Sequence, residues 1–282
     1  MKLVTYRHAE RVTYGAVTGE GVIDLGRVFG DALPTLHAVL AAGALEDVES
    51  SVQKVDVDCQ VDEIEFLPPI PDPEKIVCVG LNYATHVAET GRGDSDYPVL
   101  FPRYANTQVG HGQPMVKPRE SDAFDYEGEL AVIVGKAGRR IPEAQALDHV
   151  AGYACYNDGS IRDWQRHTHQ FMPGKNFPGT GGFGPWMVTA DELTDPTALT
   201  LVTRLNGQEM QRATTDLLIF TIPYLLHYIS TFTELVPGDV IVTGTPGGVG
   251  FTRKPPIFMK PGDTVEVEID KIGTLVNSIA DG

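Results

Sequence analysis

Basic residues are scarce. The chain has 22 Lys and Arg against 38 Asp and Glu, a net charge of −16 at neutral pH. That excess repels nucleic acid and anionic lipid, and no Lys/Arg cluster offsets it, so neither is an expected partner. A small anionic substrate would need a local positive site. Long apolar runs are also missing, none approaching the ~18 residues of a membrane span. The stretch "MKLVTYRHAERVTYGAV" (1–17) alternates like a strand and lacks the apolar core and cleavage site of a secretion signal. Cysteine is sparse too. Cys59, Cys78 and Cys155 form neither a CxxC pair nor a disulfide framework, which suits a reducing compartment, and they read as core fillers. The cytoplasm is the expected location.

What remains is an ordinary globular composition, 42% hydrophobic over 282 residues, enough for one large domain or one domain with a small appendage. Residues 1–70 hold short strand-like runs ("KLVTY", "RVTYGAVTG", "GVIDL") and an apolar helix-like segment, "LPTLHAVLAAGALEDVESSVQKV", which suits a small α+β unit. In "LPPIPDPEK" (67–75) four of nine residues are proline, which fixes φ and removes donors, so a stiff boundary is expected there. Residues 71–282 carry recurrent β-branched runs between Gly/Pro turns and read as a predominantly β catalytic domain. The best helical patterns are "PEAQALDHVAGYA" (142–154) and "TTDLLIFTIPYLLHYISTF" (214–232).

Several clusters could carry chemistry. In "DYEGELAVIVG" (125–135) an extended chain puts Glu127 and Glu129 on one face with Ala131 and Ile133, while Leu130, Val132 and Val134 face the other way. Two like charges side by side resist joint ionisation unless a cation or proton lies between them. Hard oxygen ligands suit Mg²⁺ or Mn²⁺ better than zinc. The same pattern also fits a solvated strand end. Asp158, in "YNDGSIRDWQ" (156–165) beside Arg162 and Gln165, could supply a third carboxylate, although Asn-Asp-Gly also makes an ordinary turn.

His86 and Glu89 stand at i and i+3 in "GLNYATHVAE" (80–89), where a carboxylate can orient an imidazole as a base. A surface hydrogen bond is the plainer alternative. The polar "TGRGDSDYP" (90–98) that follows is expected to be a lid. "FMPGKNFPGTGGFGPW" (171–186) presents Lys175 as an electrophile or anion clamp. Its GxGxxG spacing is not a dinucleotide fingerprint, because no strand precedes it and no helix follows, so its glycines read as turn residues. "GTPGGVG" (244–250) lacks the Gly-Lys-Ser/Thr of a phosphate loop, yet its amides and Thr245 could cradle a carboxylate. His167 and His169 lack further ligands at zinc spacing. His8, His37, His111, His149 and His227 read as structural.

Taken in order, "KIVCVGLNYATHVAE", "PVLFPRYANTQVGHGQPM", "DYEGELAVIVGK", "GYACYNDGSIRDWQ", "GKNFPGTGGFGPWMVT" and "VPGDVIVTGTPGGVG" make residues 71–282 resemble the fumarylacetoacetate hydrolase family. The resemblance implies an α+β, predominantly β fold, a β-roll catalytic domain behind the small N-terminal domain, and a homodimer. It implies Glu127, Glu129 and Asp158 as ligands of Mg²⁺ or Mn²⁺ (sometimes Ca²⁺), and His86 with Glu89 as the pair that activates water. Arg162, Gln165 and Lys175 would hold substrate oxygens, with Thr245 and Gly247 near the substrate carboxylate. The implied reaction is hydrolysis of a C–C bond in a 1,3-dicarbonyl keto acid such as an acylpyruvate or fumarylpyruvate. The alternatives are oxaloacetate decarboxylation, decarboxylase/isomerase chemistry of aromatic catabolism, or a non-catalytic keto-acid-binding dimer. Arg103 in place of the common lysine of "FPK", Gly159 in place of a bulkier residue, and the two histidines of "QRHTHQF" depart from the family pattern and bear on substrate choice.

Overall fold

The computed structural model describes residues 1–93 and 95–282. The fold is α+β with strands predominant, and a large, largely antiparallel sheet organises it. Along that sheet the strands run Val22–Asp24, Arg11–Val17, Lys2–His8, Gly181–Thr189, Val150–Asp158, Gly128–Val134, Val240–Val242, Ile76–Gly80 and Val99–Arg103. Val240–Val242 and Ile76–Gly80 pair in parallel. A five-stranded sheet packs across it, in the order Gln208–Thr214, Thr200–Leu205, Thr264–Ile269, Gly273–Asp281 and Met115–Lys117.

The two faces of the large sheet explain why its central strands are apolar on both sides. On one face Leu130, Val132 and Val134 pack with Leu201, Val267 and Leu275 of the second sheet and with Leu225, Leu226 and Ile229 of the helix Ile222–Phe232. On the other, Ala131 and Ile133 pack with Leu36, Val39, Leu40 and Val48 of two N-terminal helices. The alternation expected from 127 to 134 therefore holds. Residues 1–70 join this core directly, since Lys2 and Leu3 pair with Val188 and Met187 of the Gly181–Thr189 strand.

Three local expectations change. The apolar run 33–55 is two helices, Leu36–Ala42 and Leu45–Val52, because Gly43 caps the first in the left-handed region at φ 64°. In 142–154 only Glu143–His149 is helical, as 3₁₀ turns, and Val150–Asp158 is a strand held between two neighbours. In 214–232 the helix begins only at Ile222, behind the capping hydroxyl of Thr221. Cys59, Cys78 and Cys155 are free and buried, as core fillers should be. Among the described residues no helix is long and apolar enough to cross a membrane.

Candidate active site

Glu127 and Glu129 flank Gly128 at the head of the central strand, and Asp158 ends the neighbouring strand. Antiparallel register brings them together: Gly128 lies opposite Asn157, and Asp158 donates its N–H to Glu127 O at 2.8 Å. One carboxylate oxygen of each residue lies within 4.8 Å of the others, and all three side chains are buried. Gly128 is required between them because a Cβ there would sit 2.0 Å from Thr203 Oγ1.

Cations surround this cluster. Lys175, the last residue of the short helix Met172–Lys175, bridges Glu127 Oε2 and Asp158 Oδ2 at 2.6 Å each. Arg162 reaches Glu127 Oε1 at 2.7 Å and Asp125 Oδ2 at 2.8 Å. Arg103 donates to Asp158 Oδ1 at 2.6 Å, to Gly159 O and to Thr180 Oγ1. Burial opposes ionisation of Glu127, but Arg162 and Lys175 outweigh it and hold its pKa well below the usual carboxylate range. Glu129 goes the other way: burial, then the charges of Asp158 and Glu127, push its pKa well above the usual value. Its contacts explain the difference, because Gly244 N donates to Glu129 Oε2 and no cation touches it among the described residues.

Two of these residues escaped the sequence reading as site members. Asp125 accepts from Arg162 and from the amides of Gly250 and Phe251, so it sets the arginine's position. It stood in the motif quoted for Glu127, but nothing local marks it as buried. Arg103 was visible only as a departure from a motif.

On the other side of the cleft, the helix Ala84–Thr90 carries His86 and Glu89, with His86 Nδ1 2.8 Å from Glu89 Oε1. Glu89 Oε2 accepts from Gly248 N and Thr252 Oγ1. Burial would raise the pKa of Glu89, but these hydrogen bonds, led by that from His86, bring it below the ordinary value. An ionised Glu89 accepts from Nδ1–H, which leaves Nε2 as the ring's free acceptor. Asn82, fully buried, ties the start of this segment to Thr243 O and Phe220 O. Of the expected lid 90–98, Asp94 lies outside the described residues; Thr90 and Arg92 line the cleft with His86, Glu127, Arg162, Gln165, Arg166 and Lys175.

The remaining candidates are placed as follows. Gln165 accepts from Arg162 Nη1 at 3.0 Å and faces the cleft. Thr245 is buried, with its hydroxyl engaged by Gln211 and donating to Gly128 O. Gly247 donates to Thr85 Oγ1 at 3.1 Å and so fastens the His86 helix to the 244–250 loop. His167 and His169 are exposed. Gly181, Gly182 and Gly184, expected in turns, instead open a central strand, where a Cβ on Gly182 would meet Asn277 Oδ1 at 2.6 Å. Gly159 has a steric reason too: a Cβ there would lie 2.1 Å from Thr180 O.

The donor set fits a hard divalent cation. Three carboxylates converge, and each retains lone pairs beyond its hydrogen bonds. Four buried acids (Asp125, Glu127, Glu129, Asp158) face three buried bases (Arg103, Arg162, Lys175), so with all four acids ionised one negative charge would be unmatched. A buried acid cluster facing a His–Glu pair across a cation-lined cleft, on this roll of sheets, defines an enzyme class built around small anionic substrates.

Comparison with known proteins gives that class its family. The sequence model "Fumarylacetoacetate (FAA) hydrolase C-terminal" matches residues 75–280, and the chain belongs to the fumarylacetoacetate hydrolase family. It is 40% identical over 269 residues to the oxaloacetate tautomerase FAHD2A, mitochondrial, of Bos taurus, covering 93% of this chain and 84% of the relative. The fumarylacetoacetate hydrolase of psychrophilic Exiguobacterium antarcticum superposes with a TM-score of 0.88 at 34% identity, over 100% of both chains. A maleylpyruvate hydrolase from Sphingobium sp. SYK-6, solved in complex with manganese(II) ion and pyruvate, superposes at 0.83 and 26% identity, over 100% of both chains.

Proposed function

We propose that the protein is a divalent-metal-dependent enzyme that moves a proton at the carbon between the carbonyl groups of a short 2-keto acid, with oxaloacetate as the type substrate. The observation that carries this reading is His86, oriented by a Glu89 that Gly248 and Thr252 fix in place, and lining the same cleft as Lys175, Arg162 and Glu127. The name of the bovine relative supports it. Glu127, Glu129 and Asp158 would hold Mg²⁺, Mn²⁺ or Ca²⁺; the ion would polarise the keto oxygen and stabilise charge developing there. Arg162, kept in place by Asp125, and Gln165 would hold the carboxylate and carbonyl oxygens. Thr245 and Gly247 would shape the wall beside them.

His86 Nε2 takes the proton from C3, and the C–H electron pair becomes the C2–C3 double bond of the enol form. Return of a proton to the oxygen completes tautomerisation, and its return to C3 reverses it. Glu89 stabilises the imidazolium formed in between. Lys175 keeps Glu127 and Asp158 paired beside the developing oxyanion. A cytoplasmic homodimer remains the proposed setting.

Hydrolytic C–C cleavage of an acylpyruvate or fumarylpyruvate is the second reading, favoured by the maleylpyruvate hydrolase neighbour. In it His86 would take its proton from water instead. Oxaloacetate, acylpyruvates and fumarylpyruvate, assayed with Mn²⁺ and Mg²⁺ by enol absorbance and product identification, separate the two. Accelerated enol–keto exchange that falls ~10²-fold or more in His86→Ala supports tautomerisation. Stoichiometric pyruvate release from acylpyruvates supports hydrolysis, and turnover undiminished in His86→Ala sinks both.

A further inference from the structure

Four cations line the cleft, and only two of them serve the acid cluster. Lys175 and Arg162 contact its carboxylates, whereas Arg92 and Arg166 make no ion pair among the described residues. The chain has 16 more acids than bases, and Arg7, Arg27, Arg204 and Arg212 each find an acid on the surface, so acids for these two to pair with are not scarce. The guanidinium carbon of Arg166 lies 4.5 Å from the centre of the Phe251 ring, which Arg162 also covers at 4.4 Å, and Arg92 lies 4.8 Å from the Phe171 ring. Each is thus held against an aromatic face rather than an acid. Arg162 supplies an independent sign of a missing anion: it is 4% exposed, yet its Nη2 is buried without a hydrogen-bond partner. An unpaired buried donor is costly unless a ligand satisfies it.

We propose that Arg166 and Arg92, with Arg162 Nη2 beneath them, form a second anion subsite that binds the far carboxylate of a dicarboxylic keto acid and selects such substrates over monocarboxylates. This rests on the keto-acid reading above. Like charges around the subsite already repel, since burial and then the charges of Arg162 and Arg92 lower the pKa of Arg166. A carboxylate placed among them relieves that repulsion. The two arginines stand on opposite walls: Arg166 follows the helix Arg162–Gln165, and Arg92 follows Gly91, the cap of the helix that carries His86. The far carboxylate therefore also fastens the base-bearing helix to the metal side of the cleft. A monocarboxylate keto acid would fill the inner site without making that link.

The test measures binding of pyruvate and oxaloacetate to the Mn²⁺-loaded protein by calorimetry, in the parent and in Arg166→Gln, Arg92→Gln and Arg166→Lys, with melting temperatures confirming that each folds. The parent is expected to prefer oxaloacetate by ~10-fold or more, and each Gln variant to lose about tenfold of that preference while pyruvate binding stays within about twofold. Arg166→Lys should recover part of the loss. Equal binding of both acids by the parent, or equal weakening of both in Arg166→Gln, overturns the subsite. If the preference behaves as expected but no keto acid is turned over, the subsite stands and the catalytic reading falls. Turnover with a preference unmoved by all three variants has the opposite meaning.

Discussion

Glu129 is the residue whose environment is least balanced. Its two partners in the acid cluster each contact cations, whereas among the described residues it has only the Gly244 amide. Replacing it should separate stability from metal binding. In Glu129→Gln the amide oxygen still accepts from Gly244, while the acid that burial and its neighbours make costly to ionise disappears. The metal-free variant is therefore expected to melt at or above the parent temperature, although Mn²⁺ no longer raises its Tm and calorimetry detects no tight site. A variant that loses stability without metal would show that Glu129 is held by contacts stronger than the one hydrogen bond. At this scale part of the site was legible. The Glu-x-Glu alternation and the i, i+3 spacing of His86 and Glu89 are short-range patterns, and the structure reproduces both. The Arg103–Asp158 pair spans 55 positions and the Lys175–Glu127 pair 48, so it is strand register, invisible in any local window, that turns those residues into a network.

Individual elements were legible where one period dominated. The Gly128–Val134 strand is a continuous apolar run with clean alternation, and it is a strand. The stretch 142–154 fitted a helical period, but the two strands beside Val150–Asp158 saturate its backbone groups, and tertiary pairing overrode the local pattern. Gly179 does lie in a turn, at φ 69°, but Gly181 and Gly182 looked like turn residues because the close approaches that require them, to Gln108 and Asn277, come from distant strands.

One link between elements predicts a pH effect. His111 Nδ1 accepts from Val276 N at 3.1 Å, and its ring meets Phe66 edge-on at 5.0 Å, joining the N-terminal strands to the C-terminal one. Burial lowers its pKa in the folded state. The unfolded chain, with a histidine pKa of about 6.5, then binds the proton more readily. Its contribution is complete above pH ~6.5 and is lost as pH falls from there through the folded value. Melting temperatures between pH 7.5 and 5 should fall less steeply in His111→Asn than in the parent; parallel curves would show that His111 is not a source of the slope.

For the whole molecule, the sheet does not stop at the proline-rich stretch. Leu3, Tyr14, Ile23, Leu36, Val39 and Leu40 share a core with Ala131, Ile133, Ala154, Phe183 and Met187. Deleting residues 1–70 would strip that face and leave the Gly181–Thr189 strand as an open edge. The fragment 71–282 is expected to be recovered aggregated, or with the exposed-core signature of strong ANS binding, rather than as a cooperatively melting unit. A sharp, two-state melt of the fragment would instead establish the C-terminal part as an independent folding domain. Composition and strand count made the predominantly β class legible, whereas the continuity of the sheet depends on pairing between residues 2 and 188.

The two halves of the active site also sit on very different supports. The acids end strands in the middle of the large sheet, buried on both faces, whereas His86 and Glu89 ride a seven-residue helix held through the contacts of Gly247, Gly248 and Thr252. Amide hydrogen exchange should therefore run on two clocks. The strand amides of Leu130–Ile133 exchange only when the whole protein unfolds, while the helix 84–90 exchanges through its own smaller opening. Ligand that bridges the cleft would slow the second clock toward the first, so substrate capture becomes readable as a change in protection of one short helix.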